Sequence, residues 1–315
     1  MRYSLRQLEV FAAIARHDSV SKAAEMLAMS QSATSTALAE LEKQFATRLF
    51  DRNGKRLQLN ELGQLLLPRV RDILDRAHEV ETLLGGRTTV GPLRVGATLT
   101  VGNYLAALLI GDFMRRHPGS HIHLEVNNTQ HIIERVAGFD LDFGMVEGEI
   151  QHPDLDMTPW INDELVIFAA PGHPLARRAA VTLDDLEQAT WIVREHGSGT
   201  RQTFERGLHD ILPRLNILLE LEHTEAIKRA VESGLGIGCI SRMALREAFK
   251  RGSLVPIEMP ELDLRRRFYF VLHRQKYVTA GMAKFLDLCR AVTANVSVSD
   301  EIMLPWQQDA AIDRG

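Results

Sequence analysis

Apolar residues recur at helical spacing three times in the first part of the chain. One helix is predicted from Leu5 to Ala15, a second from Ser21 to Leu27, and a third from the N-cap Ser30 to about Phe45, with Ala33 on its buried face. The opposite face of the third predicted helix carries short polar side chains: Gln31, Ser32, Thr34, Ser35 and Thr36. With Ser30, these residues are the candidates for contact with DNA bases and phosphates, although a solvated helix face explains the same pattern.

A basic hairpin is predicted directly after these helices. Asn53-Gly54 favours a tight turn between two short strands, and Arg52, Lys55 and Arg56 surround that turn, where they can reach phosphates or a minor groove. Two helices, a polar third helix and a basic hairpin, in that order, are typical of a winged helix-turn-helix. We therefore predict a DNA-binding domain at residues 1–60.

A long amphipathic helix is predicted next, from Glu61 to about Leu84, with Asn60 as its N-cap and Pro68 in its early turns. Apolar residues alternate spacings of four and three along this helix: Leu66, Val70, Ile73, Ala77, Val80 and Leu84. So narrow a seam favours packing against an identical helix, which predicts a homodimer. The Gly- and Thr-rich run that follows predicts a hinge, so residues 61–90 form a linker.

Apolar strands alternate with helices over the rest of the chain, from Leu93 to Thr293. This alternation predicts an α/β fold with a mostly parallel sheet. The length of the region favours two α/β subdomains with a ligand cleft between them. Residues 297–315 lack apolar periodicity and predict a mobile tail.

The distribution of charge agrees with a DNA-binding amino terminus. The formal net charge is −4, yet residues 1–60 contain nine Lys or Arg against six Asp or Glu. No apolar run reaches the roughly 18 residues of a membrane span. Arg6 and Glu9 interrupt the segment where a secretory signal would be apolar, so we expect a cytoplasmic protein without a membrane partner. Cys239 and Cys289 have no neighbouring metal ligands and predict buried thiols.

The segment from Ala23 to Gly63 resembles the amino-terminal signature of LysR-type transcription regulators. It has the Ala-rich positioning helix, the Ser-Gln start of the recognition helix, and the Leu-Phe-x-Arg and Leu-x-x-x-Gly motifs of that family. It departs from the signature where Phe45-Ala46 replaces the usual Leu-Gly and where Asn60 replaces a usual Thr. The resemblance covers nearly the whole chain apart from the tail.

Later segments are similar to the YeiE-type, sulfite-responsive branch of this family, among them Gly102 to Leu105, Val146 to Gly148 and Val193 to Arg201. The resemblance implies two effector subdomains of periplasmic-binding-protein type, at residues 91–161 with 267–296 and at residues 162–266. It also implies binding to double-stranded promoter DNA as a homodimer and then a homotetramer, with RNA polymerase as a further partner. No cofactor is implied; the ligand is a small-molecule effector, for which sulfite or bisulfite is the candidate.

In open α/β sheets, ligands bind beyond the carboxyl ends of the strands, next to helix starts. The candidate ligand-binding residues occupy such positions: Thr98, Thr100, Asn128, Thr129, Gln130, Glu147, Gly199, Thr200, Arg201, Thr224, Glu225, Ala226 and Lys228. The Gly-Ser-Gly-Thr stretch that ends at Thr200 suits a small anion, although ordinary loop caps explain the same residues. Glu147 would repel a doubly charged oxyanion unless a proton or Lys228 intervened. We therefore hypothesise that bisulfite donates a hydrogen bond to Glu147 while Lys228 and Thr200 hold its charge, and that sulfate is rejected.

Two other classes of protein are alternatives for this sequence. An enzyme has little support: the glycines from Gly234 to Gly238 follow a predicted helix, the reverse of a dinucleotide-binding fingerprint, and Ser198 lacks a nucleophile elbow. His121 and His123 form a possible metal pair without a third ligand. A solute-binding protein would fit the effector region alone, but not the additional residues 1–90.

Overall fold

The computed structural model describes residues 2–53, 56–85, 90–148 and 150–302, without the side chains of residues 52, 53, 56, 82 and 83. The chain forms two compact units. The first contains Met1–Gly91 and Arg274–Met282, and the second contains Pro92–His273 and Ala283–Gly315. Each unit is described by itself.

The first unit has the predicted winged helix-turn-helix order followed by the long helix. Its elements are helices α1 (Leu5–His17), α2 (Val20–Met26), α3 (Gln31–Gln44) and α4 (Glu61–Leu84), and strands β1 (Phe50–Asn53) and β2 (Arg56–Leu59). Ser4, Ser19 and Ser30 cap the first three helices through their hydroxyls. The two strands pair antiparallel, as the Asn-Gly turn predicted.

A small apolar core holds these elements together. Phe11 of α1 and Phe50 of β1 are buried with their ring centroids 5.6 Å apart. Leu41 of α3 and Val70 of α4 belong to the same cluster. Burial of one side chain of this size contributes roughly 1.5–3 kcal/mol, so the core fixes α3 relative to the hairpin.

The turn after α3 has a left-handed residue where the family signature has glycine. Ala46 has a φ of 49°. Its N–H donates to the carbonyl of Lys43, and the N–H of Thr47 donates to the carbonyl of Glu42, which together form a Schellman motif. A residue with a Cβ atom adopts this conformation at a cost of roughly 1–2 kcal/mol.

Helix α4 buries only the first part of its predicted seam within this unit. Val70 is 1% exposed and packs into the winged-helix core, whereas Ile73, Val80 and Leu84 are 37%, 53% and 83% exposed. Asn60 caps the helix by accepting a hydrogen bond from the N–H of Gly63 at 2.9 Å. The later part of the seam is an apolar surface on a single chain.

The second unit is an α/β domain. Its strands are β3 (Leu93–Thr98), β4 (Ile122–Asn127), β5 (Phe143–Glu147), β6 (Leu155–Ala169), β7 (Thr190–Arg194), β8 (Asn216–Leu221), β9 (Ile237–Ser241), β10 (Val255–Ile257) and β11 (Arg265–His273). Its helices are α5 (Leu99–Val101), α6 (Ala107–Arg116), α7 (Thr129–Ala137), α8 (Leu183–Gln188), α9 (Gly199–Gly207), α10 (Thr224–Glu232), α11 (Arg242–Arg251) and α12 (Ala280–Thr293). The first turn of α12 belongs to the first unit.

The expectation of a mostly parallel sheet is wrong, because the sheet is mixed. The strand order is β4-β3-β5-β11-β6-β9-β7-β8, with β10 beside β6. Strand β3 pairs parallel with β4 and β5, and β7 pairs parallel with β8 and β9. Strand β11 pairs antiparallel with β5 and β6, and β6 pairs antiparallel with β9 and β10. Two long antiparallel strands therefore join two parallel halves.

Strand β6 is buried on both faces where it enters the second half of the sheet. Leu165 and Ile167 lie in one core cluster with Trp191, and Val166 and Phe168 lie in another. This follows from the alternation of side chains in a strand that has helices on both faces.

The prediction of a mobile tail is wrong for its first residues. Val298 forms an isolated parallel bridge with Asn162 of β6, and Ser299–Glu301 form a short 3-10 helix. Ile302 is 7% exposed. Polar contacts to a buried strand, which sequence periodicity does not reveal, hold this segment; residues 303–315 lie outside the described part of the chain.

Two further expectations concern the whole of the described chain. Cys239 and Cys289 are free, buried thiols, as predicted. Across residues 2–53, 56–85, 90–148 and 150–302, no helix is long and apolar enough to cross a membrane.

Candidate effector site and DNA-binding surface

The amino-terminal turns of α3 present most of the predicted DNA-contacting side chains to solvent. Ser30 and Gln31 are exposed, as are Ser32, Ser35 and Thr36. Thr34 is an exception: it is 0% exposed, and its hydroxyl donates to the carbonyl of Ser30 at 3.0 Å. The prediction that Thr34 faces outward is therefore wrong, and Ala33, predicted to be buried, takes the exposed position.

Arg52 and Arg56 of the predicted hairpin belong to the paired strands β1 and β2. Arg52 pairs with Leu57, and Asn53 with Arg56. Lys55 and the side chains of Arg52 and Arg56 lie outside the described part of the chain.

Glu147, the last residue of β5, forms the centre of the candidate effector site. It is 1% exposed. The hydroxyl of Thr98, at the end of β3, donates to one of its carboxylate oxygens, and the hydroxyl of Thr100 donates to the other at 3.2 Å. The predicted ligand residues of the first two loops therefore meet at a buried carboxylate.

Thr129 joins this site to the start of α9. Its hydroxyl donates to the carbonyl of Glu147 at 3.1 Å and accepts the N–H of Gly199 at 3.0 Å. A Cβ atom added to Gly199 would overlap that carbonyl, so only glycine allows the helix start to approach. The two halves of the sheet are in direct contact here.

Arg266 of β11 is a site residue that the sequence analysis missed. Its side chain is 2% exposed. Its Nη1 donates to the hydroxyl of Thr200 at 2.9 Å and its Nη2 to that of Thr100 at 3.3 Å, and Nη1 lies 3.6 Å from Glu147 Oε1. Strand alternation could have identified it, because Arg266 shares a face with the buried Phe268 and Phe270.

A second group of predicted residues surrounds the start of α10. Lys228 Nζ lies 2.8 Å from Glu225 Oε1, and the hydroxyl of Tyr104, another residue not predicted, donates to the same carboxylate. Burial, aided by the Glu225 carboxylate, raises the pKa of Tyr104. Burial also tends to raise the pKa of Glu225, but hydrogen bonds from Lys228 and Tyr104 outweigh it and hold that pKa below its ordinary value.

Thr224, the first residue of α10, is 1% exposed, and its hydroxyl has no hydrogen-bond partner within the described chain. Helix α10 also lacks a side-chain cap at its amino terminus. A buried hydroxyl without a partner costs free energy unless a ligand or water satisfies it.

The remaining predicted ligand residues lie outside these two groups. The guanidinium of Arg201 pairs with Glu205 at 2.6 Å and with Glu220 at 3.1 Å, so its predicted contact with a ligand stays a prediction. Asn128 caps α7 by accepting the N–H of His131. The backbone N–H of Gln130 donates to the carbonyl of Gly197 at 3.1 Å. Ala226 is exposed.

An open cleft of about 740 Å³ adjoins the site. Its lining residues include Arg266 of the site, Gly148, which follows Glu147, and Thr203, one turn beyond Thr200. The cleft therefore reaches Arg266, whereas Glu147, Thr98, Thr100 and Thr200 are not among its lining residues.

Within the described residues, neither the possible metal pair nor the glycine-rich segment forms an enzymatic site. No group of three or more His, Cys, Asp or Glu residues within them could hold a metal ion, so His121 and His123 remain an isolated pair. The glycines from Gly234 to Gly238 follow α10 and lead into β9, the reverse of a dinucleotide-binding turn.

Comparison with known families matches both parts of the chain. The LysR substrate binding domain family matches residues 86–294, and the bacterial regulatory helix-turn-helix protein family of lysR type matches residues 5–64.

Individual relatives agree with these matches. The uncharacterized HTH-type transcriptional regulator YeiE of Escherichia coli is 43% identical over 92% of this chain and 98% of its own. The transcriptional activator CmpR of Synechocystis is 33% identical over 94% of this chain and 98% of its own. The Synechocystis CcmR regulatory domain in complex with 2-PG is 31% identical, with a TM-score of 0.62 over 66% of this chain and 100% of that chain. Full-length OxyR from Pseudomonas aeruginosa shares the fold, with a TM-score of 0.71 and 19% identity over 92% of this chain and 94% of that chain. The chain is a LysR-type transcriptional regulator, with an amino-terminal DNA-binding domain and a ligand-binding effector domain, and not an enzyme.

Proposed function

We propose that this regulator senses a small oxyanion, sulfite in its bisulfite form, at the site formed by Glu147, Thr98, Thr100, Thr200 and Arg266. The observation that carries the proposal is the buried Glu147 carboxylate among hydroxyls and a guanidinium. Such an arrangement offers one acceptor for a proton on the ligand and several donors for its oxygens.

The charge of the site supports a protonated ligand. Arg266 lies near two buried carboxylates, Glu147 at 3.6 Å and Asp163 at 2.6 Å. With both carboxylates ionised, this group has one excess negative charge. A dianion such as sulfate would add two more charges in a place where water is excluded, whereas bisulfite adds one and donates a hydrogen bond to Glu147.

The cation of the site is Arg266, which revises the role expected for Lys228. The Lys228 ammonium is held by Glu225 at 2.8 Å. The Thr200 hydroxyl accepts a hydrogen bond from Arg266, so its own hydrogen points away from the guanidinium and is available to an anion. The hydroxyl of Thr224, at the start of α10, belongs to the second group of residues and has no hydrogen-bond partner within the described chain.

Another small anion is the alternative effector. The CcmR regulatory domain, at 31% identity, was solved in complex with 2-PG. An anion of another kind would use the same helix starts at Thr200 and Thr224, and the Glu147 site favours the anion with less negative charge.

The effector acts by changing how the two halves of the sheet close. We infer that these halves are subdomains, residues 91–161 with 267–296 and residues 162–266, and that the exposed part of the α4 seam, including Val80 and Leu84, packs against a second copy. A homodimer of this kind, paired again into a tetramer, would bind an interrupted palindrome in promoter DNA and engage RNA polymerase there. The ligand shifts this assembly only if it binds the closed and open arrangements of the two subdomains with unequal affinity.

Calorimetric titration of the full chain with sulfite, sulfate, thiosulfate and O-acetylserine tests the proposal. Saturable binding of sulfite in preference to sulfate is expected. Glu147→Gln should remove that preference, because an amide can donate to sulfate, while Glu261→Gln, at an exposed position, should retain it. A Glu147→Gln variant with unchanged preference, or wild-type protein that binds none of these anions, would overturn the sulfite assignment.

A further inference from the structure

The C-terminal segment 297–302 lies beyond residues 86–294, which match the LysR substrate binding domain family. It nevertheless packs on two elements of the second half of the sheet. Asn162 of β6 bridges to Val298 and donates through Nδ2 to the carbonyl of Ser297 at 3.3 Å. Arg246 of α11 donates to the carbonyl of Ile302 at 3.3 Å. The segment follows α12 in the chain and returns to β6, although β6 and β11 both end before α12 begins.

Ser299 is the buried side chain of this segment. It is 2% exposed, and its hydroxyl donates to Asp163 Oδ1 at 2.5 Å. The hydroxyl of Ser241, in β9, donates to the same oxygen at 2.7 Å. The carboxylate of Asp163 is therefore held on one oxygen by two hydroxyls that come from different parts of the chain.

The other oxygen of Asp163 holds Arg266. Arg266 Nε donates to Asp163 Oδ2 at 2.6 Å, while its two terminal nitrogens donate to Thr200 and Thr100. The guanidinium is planar, so the direction of Nε fixes the directions of both terminal nitrogens. Whatever orients the Asp163 carboxylate also orients the cation of the effector site.

We propose that Ser299 is a positioning residue of the effector site, which acts through Asp163 to fix the orientation of Arg266. The inference rests on the proposed function in its assignment of Arg266 as the cation of that site, but not on the identity of the anion. It gives the segment after the family domain a role in effector recognition.

Exchange of the Arg266 Nε–H with solvent, followed by ¹⁵N NMR on the full chain, measures this orientation directly. Ser299→Ala should accelerate that exchange about tenfold, because the carboxylate that binds Nε keeps only one of the two hydroxyls that hold its other oxygen. The Nε–H of Arg194, buried and bonded to Glu195 at 2.7 Å, serves as an internal reference and should not change. A purely structural loosening of the domain would accelerate both signals.

Two further variants complete the test. Ser297→Ala makes the same substitution at an exposed residue and should leave both signals unchanged. Ser241→Ala removes the other hydroxyl from Asp163 and should act in the same direction as Ser299→Ala, so the test does not depend on one variant folding. Unchanged Arg266 exchange in Ser299→Ala, or equal acceleration of Arg194, overturns the proposal.

Titration with sulfite separates this inference from the proposed function. If the wild type binds sulfite, Ser299→Ala should bind it about tenfold more weakly, since a cation free to reorient is less preorganised for the anion. If the wild type binds no sulfite but Ser299→Ala still accelerates Arg266 exchange, the sulfite assignment fails and the positioning role stands. If sulfite binds equally well to both, the role of Ser299 in recognition is wrong.

Discussion

Lys276 and Asp75 form an ion pair in the first unit, with Nζ and Oδ2 2.6 Å apart and the lysine side chain 1% exposed. Tyr277 extends the contact along the same face of α4. Its hydroxyl donates to Glu79 at 2.9 Å, and its ring lies 4.2 Å from the guanidinium carbon of Arg76. Lys276 and Tyr277, which lie between β11 and α12 in the sequence, therefore bind to helix α4.

Lys276→Met should destabilise the first unit by about 1–3 kcal/mol, because Asp75 loses a partner and the apolar replacement cannot donate to it. Urea unfolding monitored by circular dichroism measures the loss. Lys284→Met replaces an exposed lysine of α12 and should change the free energy of unfolding by less than about 0.5 kcal/mol. Equal stability of the two variants would show that the ion pair contributes nothing.

Ala46→Gly should stabilise the protein by about 0.5–1 kcal/mol, since glycine adopts the left-handed φ of 49° without the Cβ penalty. Ala39→Gly, at an exposed position within α3, is the matched control and should destabilise by about 1 kcal/mol. The midpoint of thermal unfolding is the measurement. A loss of stability in both variants would contradict the strain assigned to Ala46.

Gln31→Ala should weaken binding to DNA selected by the wild-type protein by about 1–3 kcal/mol, as expected for a side chain at a base edge. Thr34→Val keeps the shape of a side chain that is 0% exposed and should leave the affinity nearly unchanged. Fluorescence anisotropy at fixed salt compares the two, because phosphate contacts make the affinity depend on salt. The opposite ranking would mean that α3 presents a different face to DNA.

Gly199→Ala should prevent the start of α9 from approaching Glu147, since the added Cβ would overlap the carbonyl oxygen. Amide exchange of Gln130, whose N–H donates to Gly197 across the same contact, should accelerate about tenfold. Gly172→Ala adds a methyl group with nothing within 4 Å and should have no such effect. Unchanged exchange at Gln130 would show that the contact tolerates the extra atom.

Burial raises the pKa of Cys239 to about 12, and the pKa of Cys289 is raised by the same cause. A thiol with a raised pKa stays protonated, and the thiolate is the reactive form, so iodoacetamide at about pH 8 should modify neither cysteine in the folded protein. Both should react once denaturant unfolds the chain. Mass spectrometry measures the modification, and rapid labelling of native Cys239 would contradict its burial.

The sequence by itself determined the elements whose signals are local. The caps Ser30 and Asn60, the Asn-Gly turn and the apolar spacing along α1 to α4 specify the winged helix and its long following helix. Each of these signals acts within a few residues along the chain, so no tertiary information is needed. The clustering of Thr98, Thr100 and Glu147 was predictable for a related reason, because the parallel strands β3 and β5 place their carboxyl ends at one edge.

Only the tertiary structure decided which groups complete the site. Arg266 lies 103 residues from Asp163, and Ser299 lies 136 residues from it, yet the three side chains are hydrogen-bonded in the interior. Pairing over such separations depends on the antiparallel register of β6 with β11 and on the return of the chain to β6 after α12. A buried charge is stable only beside its partner, and the partner is chosen by the packing of the whole domain, which no local pattern of residues encodes.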